Sequence, residues 1–314
     1  MQHDIRIPVN LPVVHIVLNT NCNAWDLPAK TASPGVCRFC YRERNRVHGN
    51  ADTVRAVLNV VRADTTAHRL VFTGGEPLMD CNNHIQLALR YAKKLGFKTT
   101  IHTNGLRLPH LYQKIFPVVD VYTLAIDGAD AETSDWFRGA GYFARFQTNV
   151  DMLVSDQRTI ALNTFTAPHT IERLDRLCDF VEQLSHRTTV DYWLISQYRP
   201  IGRTNPRKLE IYGFSPEVFV RTVNNIRKRL PNLPVYAQPT RQVGDQYPLR
   251  IWVQGDGVVT ADLGDVQSKR NYFLGNCLEE GLAPLIAQAQ EKYQSQYIST
   301  HDNTATFEEN EHND

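Results

Sequence analysis

The chain has 314 residues, enough for two average domains or for one barrel of roughly 200 to 250 residues with an appendage. Hydrophobic residues at 42% and charged residues at 21% exclude collagen-like, coiled-coil and wholly disordered chains. Lys and Arg number 34 against 33 Asp and Glu, a net charge of +1 with no basic run, so no nucleic-acid partner is expected.

Residues 1–12 form a short N-terminal segment with acid and base where a signal peptide needs an apolar stretch, and no apolar run is long enough to span a bilayer. A cytoplasmic protein without a membrane partner is expected. Apolar or β-branched runs at 13–18, 69–73, 98–102, 119–126, 159–165 and 189–195 predict six strands. Stretches of helical period at 52–62, 83–95, 109–115, 143–155, 171–184 and 216–230 predict a helix after each. Six strand-helix alternations point to an α/β fold, a partial (β/α)6 TIM-like barrel over residues 13–230. Ligand sites then belong at the C-terminal ends of the strands. After residue 231, Pro231, Pro234, Pro239 and Pro248 break the chain up. A hairpin around Gly255-Asp256-Gly257 and a helix over 279–294 make residues 231–295 a small α+β extension. Residues 296–314 read as a polar, flexible tail.

The strongest chemical signal follows the first strand: Cys22, a loop of fourteen residues, then Cys37-Arg38-Phe39-Cys40. Three thiolates can hold three irons of a [4Fe–4S] cube and leave the fourth iron open to a ligand that is not protein. The same cysteines with His48 could instead form a structural Cys3His zinc site in a non-catalytic binding protein. The second strand ends in Thr73-Gly74-Gly75-Glu76-Pro77-Leu78, where glycines allow close backbone approach and a carboxylate can receive an ammonium group. The third ends in Thr103-Asn104-Gly105 and the fourth in Ile126-Asp127-Gly128. A zinc-bound module has no need of such segments at successive strand ends.

Together these segments resemble the radical S-adenosylmethionine (SAM) superfamily over residues 11–200. The resemblance implies an enzyme with one [4Fe–4S] cluster on Cys22, Cys37 and Cys40. SAM chelates the unique iron and is reductively cleaved to a 5′-deoxyadenosyl radical that takes hydrogen from an organic substrate. It also implies that Phe39 lies against the adenine, that Gly74, Gly75 and Glu76 meet the methionyl amino group, and that Asn104, Asp127 and Asn163 approach the methionine and ribose. Two departures stand out: the first loop carries eleven residues more than the common C-x3-C-x2-C spacing, and Ala125 replaces a serine that relatives often place before the aspartate. A longer loop adds closure entropy only logarithmically, about 0.6 kcal/mol per doubling.

Gly255-Asp256-Gly257 and Leu274-Gly275-Asn276, with Arg199-Pro200-Ile201-Gly202-Arg203 upstream, resemble the SPASM/twitch-like extension of peptide-modifying members. Auxiliary clusters there need several cysteines, and this region holds only Cys277, so a single cluster is expected. A peptide substrate is implied first, a small metabolite or nucleotide second, with a low-potential donor such as flavodoxin or ferredoxin. Cys277 reads either as a packed thiol or as a hydrogen donor that quenches a substrate radical, while Cys81 and Cys178 read as buried small hydrophobes. His15 and His102 read as satisfied interior histidines on strands that point at the site.

Overall fold

The computed structural model describes residues 11, 13–23, 37, 39, 40, 48–79, 84–199, 209–240, 250–262 and 272–297. The N-terminal segment and polar tail fall almost wholly outside them, as do Cys81 and most of the loop between Cys22 and Cys37. Strand β1 (Val13–Val17) is followed by α1 (Ala51–Asp64), β2 (Arg69–Thr73), α2 (His84–Lys94), β3 (Lys98–Thr103), α3 (Leu108–Ile115) and β4 (Val121–Ala125). Two helices, α4 (Ala131–Arg138) and α5 (Tyr142–Ser155), lead to β5 (Thr159–Thr166). Then come α6 (Pro168–Ile171), α7 (Leu174–Ser185), β6 (Val190–Gln197), α8 (Leu209–Tyr212), α9 (Pro216–Arg229) and β7 (Val235–Gln238). The chain ends with β8 (Arg250–Gln254), β9 (Val258–Asp262), β10 (Tyr272–Asn276), α10 (Cys277–Glu280) and α11 (Leu282–Tyr297).

All ten strands join one open sheet in the order β10-β9-β8-β1-β2-β3-β4-β5-β6-β7, and the eight from β8 to β7 run parallel. The α/β partial barrel read from the sequence is present. Its boundary with residues 231–295 lies inside the sheet: β7 extends the edge at β6, and β8 returns to pair with β1, setting Trp252 opposite His15. The expected hairpin is β8–β9. Two strands were not anticipated. Pro234 and Pro239 flank β7 instead of interrupting it, and a proline just outside an edge strand removes no ladder hydrogen bond. In β10 the register shifts between Phe273 and Gly275, which breaks the alternation that would have marked it.

Alternation, clearest along β1 and β6, sorts core from site. Val14, Ile16, Leu70, Phe72, Trp193 and Ile195 are sealed at 0% exposure in the main core with Val57, Leu58 and Val61 of α1. Burying each such side chain stabilises by about 1.5–3 kcal/mol. Residues of the opposite parity, His15, His102, Asn163, Tyr192 and Leu194, remain partly open although they lie mid-strand. The concave face is therefore partly open at these positions, and the strand ends above it form its mouth. No helix among the described residues is long and apolar enough to cross a membrane.

Candidate active site at the strand ends

Past β1 and β2 the parallel pairing continues through Gly75 N–H to Asn19 O at 3.0 Å and Glu76 N–H to Asn21 O at 2.6 Å. A Cβ at Gly74 would stand 2.3 Å from Asn19 O, and one at Gly75 would stand 2.1 Å from Asn21 O. The two glycines thus let β2 lie flush against the backbone that delivers Cys22. The sequence reading aimed them at a ligand; the structure shows protein backbone where a side chain would be.

Glu76 is 1% exposed, and burial pushes its carboxyl up to about 7. Its Oε1 accepts from Leu78 N–H at 3.0 Å and Thr103 Oγ1 at 2.6 Å, and its Oε2 accepts from Asn104 N–H at 2.6 Å. These bonds lock the ends of β2 and β3 together. Asn104 in turn donates from Nδ2 to Cys22 Sγ at 3.5 Å and to Asn23 Oδ1 at 3.0 Å. Glu76 and Asn104, chosen from sequence as cofactor contacts, form a relay that positions the first cysteine.

The second cysteine is held from α4. Cys37 is buried with φ +47°, a left-handed conformation that costs a non-glycine residue on the order of 1–3 kcal/mol. Its N–H donates to Phe137 O at 2.8 Å, and Cys40 N–H closes a turn onto Cys37 O at 2.8 Å. Burial pushes the Cys37 thiol up to about 11. Arg138, at the end of α4, donates from Nη1 to Cys37 Sγ at 3.6 Å. The same guanidinium grips Asp127, Nε to Oδ2 at 2.5 Å and Nη2 to Oδ1 at 3.2 Å, while Asp127 Oδ1 also accepts from Phe165 N–H at 2.8 Å. Asp127 was read as a ribose contact; here both its oxygens are engaged by protein groups.

Phe39, read as the adenine contact, stacks on Phe165 with centroids 3.9 Å apart and planes 8° from parallel. Phe137, Tyr198 and Tyr212 complete the buried cluster around it, and Arg138 lies over its ring at 5.0 Å. Asn163 stands beside Ala125 in the β4–β5 register, and its buried Oδ1 has no hydrogen-bond partner. Below it, His102 Nε2 and Thr123 Oγ1 meet Tyr192 Oη at 2.9 and 3.0 Å, and His15 packs against Trp252.

Other sequence candidates go elsewhere. Cys277 is 1% exposed within the main core, and burial pushes it up to about 12, a placement for a packed thiol rather than for a donor facing a substrate. Cys178 is likewise in the core. His48, the fourth ligand of the zinc alternative, turns its Nδ1 to Asp256 Oδ2 of the β8–β9 turn at 3.4 Å. Among the described residues no group of three or more His, Cys, Asp or Glu is gathered to hold a metal ion. A cube differs from one ion in that each thiolate takes its own iron.

Arg138 carries no signal in the sequence reading, and Thr103 stands there only as part of the Thr103-Asn104-Gly105 strand end, without its role as a donor to Glu76. Arg138 was hidden because α4, with Ala-Glu-Thr-Ser-Asp-Trp-Phe-Arg, has too few apolar positions to show a period. The clearest signal of α4 is the cap: Asp130 Oδ1 accepts from Thr133 N–H at 2.8 Å.

The donor set fits a thiolate-bound cluster. Two of the three cysteines meet N–H donors, Cys22 from Asn104 at the end of β3 and Cys37 from Arg138 at the end of α4, in keeping with the hydrogen bonding that supports cluster sulfurs. Residues 33–181 match the family model described as Radical SAM superfamily. A curated relative, the AdoMet-dependent heme synthase of Methanosarcina barkeri (strain Fusaro / DSM 804), is 30% identical over 137 residues, 43% of this chain. That match spans 38% of the relative's length. Among solved structures, SuiB of Streptococcus suis bound to S-adenosylmethionine aligns with a TM-score of 0.65 at 15% identity, covering 91% of this chain and 67% of that one. Native anSMEcpe with bound AdoMet and the Cp18Cys peptide aligns with a TM-score of 0.68 at 13% identity, covering 93% and 84%. At such identities the structural likeness shows the fold alone. With the family match and the cysteines at the mouth of this partial barrel, residues 33–181 are a radical SAM superfamily domain, which supports an enzyme.

Proposed function

We propose that this enzyme binds one [4Fe–4S] cluster through Cys22, Cys37 and Cys40, cleaves SAM reductively and removes hydrogen from a peptide. When bound, the cluster supplies one electron to the sulfonium of SAM, which yields methionine and a 5′-deoxyadenosyl radical. The observation that carries the reading is the pair of N–H donors, Asn104 past the end of β3 and Arg138 at the end of α4, that meet two of the three cysteines. Asn104 and Arg138 orient the thiols. Phe39 offers an aromatic edge to the adenine. Asn163 Oδ1, lacking a partner and adjacent to Ala125, offers an acceptor to a ribose hydroxyl, replacing the serine hydroxyl that relatives place there. The partly open concave face, with His15, His102, Tyr192 and Asn163 on it, receives the substrate and shields the radical from water. The peptide assignment draws on structural neighbours determined with precursor peptide SuiA and with Cp18Cys peptide. The β8–β9 hairpin and β10 serve as a SPASM/twitch-like wall without an auxiliary cluster. The electron comes from a flavodoxin or ferredoxin in the cytoplasm.

Anaerobic reconstitution tests the reading. About four irons and four sulfides per chain are expected, and reduced protein should release 5′-deoxyadenosine from SAM. Cys22→Ala, Cys37→Ala and Cys40→Ala should each abolish that product, and its persistence in all three would reject the assignment.

A further inference from the structure

One guanidinium touches three groups that the resemblance gives to three different tasks. Arg138 forks onto Asp127 at 2.5 and 3.2 Å, donates to Cys37 Sγ at 3.6 Å and lies 5.0 Å over the ring of Phe39. Its side chain is 13% exposed and that of Asp127 is 0% exposed, so both charges sit where water screens them little. The fork leaves Nη1 free of the carboxylate and aimed at the sulfur, because Nε and Nη2 take the two carboxylate oxygens. A lysine at this place could not serve both, since an ammonium is a point charge without the planar spread of five donors. The anchor itself is rigid: Asp127 is fixed by Phe165 N–H at 2.8 Å, and Phe165 is the ring on which Phe39 stacks.

We propose that Arg138 is a positioning residue of the cluster, whose guanidinium supplies the N–H donor and compensating charge for the Cys37 thiolate and ties that thiolate to the Phe39–Phe165 stack. This rests on the radical SAM reading above. A cluster held by three thiolates gains negative charge on reduction, so a cation against one of its sulfurs favours the reduced form. The same cation, held by Asp127, fixes the Cys37–Cys40 turn whose third residue is Phe39. Reduction and binding of the nucleoside end of SAM therefore share one support.

The test uses reconstituted full-length protein and the variants Arg138→Lys and Arg138→Met. Lysine keeps the charge that Asp127 needs and so preserves the fold, but an ammonium drawn to Asp127 withdraws the donor from Cys37. Both variants are expected to move the cluster midpoint potential to more negative values, and methionine is expected to move it further than lysine. Iron retention against a chelator is expected to fall about tenfold or more, and the dissociation constant for SAM is expected to rise. If wild type loads four irons and cleaves SAM while both variants match its potential, iron retention and SAM affinity, Arg138 only supports the fold and the inference is overturned. A wild-type protein that loads no iron would overturn the radical SAM reading and this inference with it.

Discussion

Glu76 keeps a carboxyl group where water hardly reaches it, tied by Leu78 N–H, Thr103 Oγ1 and Asn104 N–H. Three donors favour the carboxylate, yet desolvation outweighs them and lifts the group from 4.5 to about 7. The folded chain then binds more protons than the unfolded chain between those values. The resulting stability is fully present below about 4.5 and is lost as pH rises through about 7, on the order of 3 kcal/mol across the window. Metal-free wild type should therefore lose melting temperature relative to Glu76→Gln between about pH 5 and pH 7.5, and parallel curves for the two proteins would contradict this account. At this scale the candidate site was partly legible. Cys22, Cys37, Cys40 and Glu76 could be chosen by type and spacing, because thiolates and carboxylates have few reasons to recur at strand ends. Arg138 could not, because its bond to Asp127 exists only once α4 folds back toward β4.

Among the elements, those with a strong apolar period were read correctly and those defined by their neighbours were not. Helix α1 shows both kinds of information. Asn50 Oδ1 accepts from Asp52 N–H at 2.9 Å and Thr53 N–H at 3.0 Å, a start signal visible in sequence. At its other end the buried Asp64 accepts from Leu282 N–H at 2.7 Å and Ala283 N–H at 3.3 Å, capping α11 across 218 residues. No local pattern announces that cap. Asp64→Ala should cost about 1–2 kcal/mol and speed hydrogen exchange of the Leu282 and Ala283 amides by roughly tenfold, whereas Asp64→Asn, which keeps an acceptor, should stay near wild type. Unchanged exchange in Asp64→Ala would show that α11 is held by packing alone.

For the whole molecule, the position of β8 matters most. It pairs with β1, so the strand that leads into the cysteine loop is flanked on both sides, and Ile251, Val253, Val259 and Ala261 enter the main core. A chain cut after residue 230 would leave β1 as an exposed hydrophobic edge and lose that core. Such a fragment is expected to aggregate or to unfold without a cooperative transition, as followed by circular dichroism in urea. Cooperative unfolding of a soluble fragment would establish residues 13–230 as an independent barrel.

What the sequence alone determined is the class of fold and chemistry: strand-helix alternation is a periodic signal, and three clustered cysteines before Gly-Gly-Glu-Pro are a compositional one. Tertiary structure decided where the donors fall. The glycines meet backbone, Asp127 meets Arg138, and residues 231–295 complete the sheet instead of standing beside it. Hydrogen bonds and close packing depend on distances between segments remote along the chain, and no reading of one segment at a time contains those distances.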